Sequence, residues 1–491
     1  MRKKIIIIGA GIAGLSAGCY GLMNGYDTVI YEMHDKPGGC CTAWERSGFT
    51  FDGCLQWVEI NKPGNPAHSA WEELGVIPNS KFANSDELIR IIYGENNQLI
   101  AYSDIDRFEK ELLEISSQDY LIIKEFTNAV RAGLNHRNNI DEKKMMVSFI
   151  RRAKSLANMN GGLMSIEEFS KRFKNDFLRK AFPLILSPSA AMLVLIDTFS
   201  LLSGKLTGVP LGGSLEFAKT IEKKYLELGG KISYNSKISK ILHSNSKAIG
   251  IRLENGKEDI GDAVISAADG HQTIYEMLDG TYLNENINQV YKSCKAFKPL
   301  VQVSLGINID LSDEPRRVLK YYDQPIFPDT TENDSITIMN YSYDKTLAPE
   351  NKTCLVALLS TDYEFWKEAY KDMKRYNDLK EQLGQKIVKE VECVYPQIRN
   401  KIEEIDIATP ITWENYTGNW KASFEGWIPT AENIQKKINN TLPGLADFYM
   451  AGHWIKVGGG VVQSALSGRE VIQEICSKDN KKFVKNITEA I

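Results

Sequence analysis

The stretch Ile5-Ile6-Ile7-Ile8-Gly9-Ala10-Gly11-Ile12-Ala13-Gly14 decides how the rest of the chain is read. Four successive β-branched residues suit a central parallel strand covered on both faces. The triplet Gly9-x-Gly11-x-x-Gly14 then predicts a tight turn into a helix. The first glycine turns the chain, the second lets a pyrophosphate approach the backbone, and the third allows close packing of helix on strand. Small residues continue through Ser16, Ala17 and Gly18, and Asn24-Gly25 closes the helix. A second strand over 28–31 runs into Glu32, eighteen residues beyond Gly14. A carboxylate at that place accepts hydrogen bonds from ribose hydroxyls and repels a 2′-phosphate. Strand, helix, strand and acid in register specify dinucleotide binding, with the phosphates at the helix start, where Ile12 and Ala13 lie.

Composition narrows the remaining classes. The 491 residues carry 59 basic and 63 acidic side chains, a formal charge of −4, and 43% are apolar, as in ordinary globular proteins. This balance lacks the concentrated basic surface that phosphate neutralisation demands, so nucleic acid is excluded as a partner. Eight irregularly spaced cysteines do not form a disulfide framework, and a reducing compartment is expected. Met1-Arg2-Lys3-Lys4 and the apolar run after it resemble the start of a signal peptide, but the run breaks at Gly9, so it reads as a strand and the expected location is cytoplasmic. His34, His68, His136, His243, His271 and His453 show no metal-ligand spacing, and no metal site is expected.

Further along, 71–180 is charged and helical in pattern, clearest over 104–130, and is assigned to a cap. A new α/β block follows Pro210-Leu211-Gly212-Gly213, with a helix ending at Gly229-Gly230, then strands over 231–234, 248–253 and 263–268 with an Asn255-Gly256 turn. Residues 275–445 mix alternating strands with a helical stretch over 363–394. A final strand over 448–452 and a helix after Gly458-Gly459-Gly460 return to the first domain. The expected division is 1–70, 206–275 and 446–491 for the dinucleotide domain, 71–205 for the helical cap and substrate region, and 276–445 for an α+β substrate domain.

After Glu32 come Gly38-Gly39, Thr42, Gly48-Phe49 and Phe51-Asp52-Gly53. This E-x5-G-G-x-x-T arrangement followed by G-F-x-F-D resembles the FAD-binding signature of glutathione-reductase-like flavoproteins in the amine oxidase and phytoene desaturase superfamily. Pro210-Leu211-Gly212-Gly213-Ser214, the block from Gly229-Gly230 to Asp269, and Ala451-Gly452-His453-Trp454 with Gly458-Gly459-Gly460 are similar to its carotenoid desaturase, carotenoid isomerase and retinol saturase branch. The resemblance implies a mixed α/β and α+β fold, in which a Rossmann-like FAD-binding domain carries an inserted substrate domain and a helical cap. It places Gly9, Gly11, Gly14 and Glu32 on the ADP half of FAD, and Gly38, Gly39 and Thr42, with Cys40, beside the pyrophosphate and ribityl chain. Ile238 would meet the adenine side through its backbone. Gly452, Gly459, Gly460 and Val461 would lie by the flavin ring, where a helix start stabilises negative charge.

Two departures from the family pattern stand out. Cys40 occupies the place where many relatives have arginine after the glycine pair, and Asp52-Gly53 runs into Cys54. Buried cysteine is usually a small apolar filler, and His453 more often makes a structural hydrogen bond than it moves a proton. Both remain only weak catalytic candidates. The stretch 181–204 holds one charge, Asp197, and two prolines, Pro183 and Pro188, which interrupts it as a membrane span. It reads as a core helix, or as the wall of an apolar tunnel or a membrane-dipping patch. The cluster Trp413, Tyr416, Trp420, Phe424 and Trp427 reads as a loop over a pocket or as plain packing.

The implied activity is FAD-dependent hydride transfer at flavin N5 to or from carbon in an apolar polyene or isoprenoid-like substrate, by saturation, desaturation or isomerisation. With no second G-x-G-x-x-G, the redox partner is left open among a carrier protein, a quinone, oxygen and a docked nicotinamide, and peripheral membrane contact is left open too. The alternatives are an amine or amino-acid oxidase on the same scaffold, and a non-catalytic prenyl or lipid escort of the GDP-dissociation-inhibitor type.

Overall fold

The computed structural model describes residues 2–94, 97–137, 163–327, 335–436 and 438–486. Its centre is a five-stranded sheet in the order Lys231–Ser233, Asp27–Tyr31, Lys4–Ile8, Ala263–Ser266, Phe448–Met450, with every pairing parallel. Ile5, Ile6 and Ile7 are fully buried and Ile8 nearly so, which explains the unbroken β-branched run. Each such side chain contributes roughly 1.5–3 kcal/mol of burial.

The helix Ile12–Met23 lies against this sheet, and small residues set how closely it does so. A Cβ on Gly14 would sit 1.9 Å from the Gly9 carbonyl oxygen, and one on Gly18 would sit 2.7 Å from the Tyr225 ring. The helix Val461–Lys478 crosses it at Gly468, and Ser16 Oγ donates to the Ala465 carbonyl at 2.6 Å. A three-stranded antiparallel sheet, Ile238–Ser244, Lys247–Leu253 and Glu258–Ile260, covers the other side of the central strands.

A second body is built on a seven-stranded sheet in the order Ile402–Ala408, Leu300–Ile307, Thr353–Ser360, Ser335–Asn340, Arg317–Tyr321, Glu87–Tyr93, Asn97–Tyr102. The stretch expected to be helical thus contains the hairpin Glu87–Tyr93 and Asn97–Tyr102, which pairs parallel to Arg317–Tyr321. Glu87-Leu-Ile-Arg-Ile-Ile-Tyr93 is rich in β-branched residues, and that local preference overrides the charged helical pattern on either side of it. The helices Ile105–Ile115, Tyr120–Arg137 and Met192–Ser203 follow the expected pattern. They share a core in which Phe108, Phe126, Phe169, Phe173, Phe182 and Phe199 meet edge-on or stacked. Part of the cap assignment, 138–162, lies outside the described residues. The helical stretch over 363–394 is two helices, Tyr363–Ala369 and Met373–Val394, each capped at its start by an aspartate, Asp362 and Asp372.

Candidate functional site

At the carboxyl ends of the parallel strands, where open α/β sheets bind ligands, the chain surrounds a cavity of about 1830 Å³. Gly9, Gly11, Ile12, Ala13, Glu32, Gly38, Gly39, Cys40, Ile238, Gly452, His453, Gly459, Gly460 and Val461 all line it, although they come from five separate parts of the sequence. Gly14 and Thr42 do not line it. Gly14 packs helix on turn, and Thr42 is buried behind the wall with its hydroxyl 3.4 Å from that of Tyr416.

The two glycine loops are tied together. Gly38 N–H donates to the Ala10 carbonyl at 2.9 Å, and Gly11 and Gly38 form a parallel bridge. Gly11 sits at the helix start with an ordinary φ of −67°, and a Cβ there would meet only the Gly38 carbonyl oxygen, at 3.9 Å. Neither backbone strain nor protein packing therefore requires glycine at this position. The bare backbone is explained by a group that comes from outside the chain. Glu32 ends the second strand and is buried; its Oε2 accepts from Ala10 N at 2.7 Å and its Oε1 from His34 N at 3.0 Å. Burial raises its pKa, and the two N–H donors oppose that rise. At the far end, Gly460 precedes the helix Val461–Lys478, whose first N–H groups lack partners within the helix and border the cavity. A helix start at each end, a bare glycine backbone and a buried carboxylate bordering the cavity fit FAD.

The chain belongs to the family described as flavin containing amine oxidoreductase, whose model matches residues 12–476. It is a flavoprotein oxidoreductase that uses FAD. It is 23% identical to the chloroplastic prolycopene isomerase of Daucus carota over 94% of this chain and 78% of that one. It is 25% identical to a 4,4'-diapophytoene desaturase (4,4'-diapolycopene-forming) of Methylomonas sp, over 98% and 96% of the two chains. It is 22% identical to the all-trans-retinol 13,14-reductase of Danio rerio, over 95% and 85%. Among solved structures, an oxidoreductase from Methanosarcina mazei superposes with a TM-score of 0.61 at 16% identity, over 96% of this chain and 100% of that one. Putrescine oxidase bound to putrescine gives 0.61 at 14% identity, over 97% and 99%. These likenesses show a shared fold.

His453 borders the cavity with its Nε2 buried and unpartnered, and burial lowers its pKa to about 4, so the ring is neutral at physiological pH. Cys40 accepts a hydrogen bond from Asn419 Nδ2 at 2.9 Å, and burial pushes its thiol well up, which keeps the sulfur protonated and a poor nucleophile. Trp413, Tyr416, Trp420 and Phe424 line the cavity, whereas Trp427 is fully buried against Trp454. The cluster is thus part wall and part core.

Two carboxyl groups at the cavity were not legible as site residues. Asp269 follows the buried strand Ala263–Ser266, accepts from Gln272 N at 2.7 Å and Trp420 N at 2.9 Å, and is raised by burial to about 7. Its position just beyond a parallel strand was the available signal. Glu425 is half-buried at the cavity beside the Gly459 turn, and its partial burial raises it to about 7. Its ordinary value is 4.5. The ionised form is therefore disfavoured in the folded chain, a cost absent at low pH that grows as pH rises from about 4.5 to about 7 and then levels off. Glu425→Gln is expected to raise the melting temperature of the flavin-free protein at pH 8 by more than at pH 5, reflecting up to about 3 kcal/mol. Calorimetry at both pH values checks this, and equal shifts would contradict it.

Proposed function

We propose that this oxidoreductase acts on carbon–carbon bonds of an apolar polyene or isoprenoid-like substrate, by saturation, desaturation or flavin-dependent isomerisation. The observation that carries the reading is the wall that continues the dinucleotide crevice into the second body. Leu184, Leu186, Val194 and Leu201 from the cap and Leu300, Leu319, Val356 and Leu358 from the seven-stranded sheet line the same continuous cavity. Relatives named as a prolycopene isomerase, a diapophytoene desaturase and a retinol reductase support the same substrate class.

FAD, when bound, supplies a hydride acceptor or donor at N5. The chain's own contribution begins with Gly9, Gly11, Gly38 and Gly39, which leave backbone free for the diphosphate, while Glu32 holds the ribose. Gly452 and the helix start at Gly459, Gly460 and Val461 place N–H donors where negative charge accumulates. The apolar walls exclude water and align a long chain against the ring. Neutral His453, and Asp269 and Glu425 with carboxyl groups near 7, are the groups able to hold or pass a proton near neutral pH.

Anaerobic titration of the flavin-loaded protein, oxidised and prereduced, with polyenes, isoprenoids and amines tests the reading. Polyenes or isoprenoids are expected to perturb or exchange electrons with the flavin, and a response confined to amines would overturn the proposal in favour of an amine oxidase. Among the described residues no helix is long and apolar enough to cross a membrane. A cytoplasmic location with peripheral membrane contact is part of the proposal, supported by Tyr120 and Leu121, 51% and 81% exposed at the start of a cap helix. The redox partner is proposed only by class, as a carrier protein, quinone, oxygen or docked nicotinamide.

A further inference from the structure

The floor of the substrate end of the cavity is one face of the seven-stranded sheet, and the period of two puts Arg317, Leu319 and Tyr321 on that face of a single strand. Leu319 pairs with Thr337, which pairs in turn with Leu358, so the surroundings are aliphatic with scattered hydroxyls. Arg317 does not fit this setting as a structural residue. The side chain is half-buried, its Nε is buried without a hydrogen-bond partner, and no carboxylate among the described residues pairs with it. The groups that bear on its charge are Arg316, which opposes it, and the Tyr341 phenol, which favours it. Arg316 itself is engaged, stacked 4.1 Å over the Tyr343 ring and donating to the Gln56 carbonyl at 3.4 Å. Burial lowers Arg317 to about 10, so it still carries its charge at neutral pH.

A half-buried cation that lines a cavity, with one buried donor unpartnered and no protein counter-ion, is suited to an anion from outside. Tyr341 also lines the cavity and is buried. The planar fork of the guanidinium, with a phenol O–H lining the same cavity and a single positive charge, matches the needs of one carboxylate. A diphosphate would bring more negative charge than this one cation balances.

We propose that Arg317, with Tyr341, docks a terminal carboxylate of the substrate, so that the enzyme takes an apolar chain ending in an acid and reads it from that end. The inference rests on the polyene reading for the nature of the chain, and on Arg317 alone for its terminus. Anchoring one end fixes how far along the chain each double bond lies from the flavin, which makes the residue a determinant of position as well as of affinity.

The test uses the flavin-loaded protein, with the flavin absorbance spectrum as the reporter of binding. All-trans-retinoate and all-trans-retinol share a skeleton and differ at the terminus, palmitate carries a carboxylate on a saturated chain, and geranylgeranyl diphosphate carries the other anion. Retinoate is expected to bind about tenfold or more tightly than retinol. Arg317→Gln is expected to remove that preference while leaving retinol within about twofold, and Arg317→Lys to keep part of it. Flavin content and melting temperature establish that both variants fold, and if Arg317→Gln does not, the wild-type retinoate-to-retinol ratio and Arg317→Lys decide. Equal affinity for retinoate and retinol in the wild type, or a preference that survives Arg317→Gln, would overturn the assignment, as would preference for the diphosphate. If both retinoids fail to bind but palmitate binds in an Arg317-dependent way, the polyene reading fails and the carboxylate site stands. If palmitate is ignored as well, the site fails.

Discussion

Gly11→Val protein is expected to fold, to melt near the wild-type temperature when both are flavin-free, and to emerge from purification with less than about a tenth of the wild-type flavin. The reason lies in what surrounds the position. Its φ is one that any residue adopts, and a Cβ there would find the nearest protein atom 3.9 Å away. The protein has room for a side chain, and the cofactor does not. Gly14→Ala provides the contrast, because its Cβ would overlap the Gly9 carbonyl oxygen at 1.9 Å. That clash falls within the fold itself and is expected to cost on the order of 3 kcal/mol, flavin or no flavin. Flavin-to-protein absorbance ratios and melting curves separate the two cases. Full flavin content in Gly11→Val would place the diphosphate elsewhere.

The second large effect is expected at Glu32, which has two jobs at once. Its Oε2 accepts the Ala10 N–H that shapes the glycine turn, and its Oε1 accepts from His34 N. Glu32→Ala strands a buried donor, at a cost of about 1–3 kcal/mol, and removes the acceptor for the ribose, with FAD affinity falling about tenfold to a hundredfold. Titration of the flavin-free protein with FAD gives the affinity and denaturant unfolding gives the stability. A stability loss with unchanged FAD affinity would leave Glu32 as a support of the turn and nothing more.

The dinucleotide half of the site was readable because it depends on local chemistry. A β-branched run, a glycine triplet and an acid at a strand end each leave their signal within a few residues of sequence, and the structure brings Gly9, Gly11 and Glu32 to one cavity. Gly38, Gly39, Gly452 and Gly460 came instead from the resemblance to a family pattern, and they line the same cavity. The hairpin Glu87–Tyr93 and Asn97–Tyr102 escaped because it is short and its main partner, Arg317–Tyr321, lies more than two hundred residues away. Arg317, Asp269 and Glu425 escaped for a different reason. Nothing around Pro315-Arg316-Arg317 distinguishes a solvated charge pair from one charge stacked on a ring and one lining a cavity, and only tertiary packing separates them. The aromatic cluster shows the same limit, since spacing alone did not say that Trp427 packs inward while Trp420 borders the cavity.

The order of strands in the central sheet carries a consequence for synthesis on the ribosome. Lys4–Ile8 takes its neighbours from residues 27–31 and 263–266, and the edge strand comes only at Phe448–Met450. The helix that crosses Ile12–Met23 at Gly468 emerges later still. The four isoleucines are therefore made long before the last of the elements that cover their apolar faces. For that interval the nascent polypeptide presents an aggregation-prone strand, and its yield in cells is expected to respond to chaperone capacity as well as to the stability of the finished molecule.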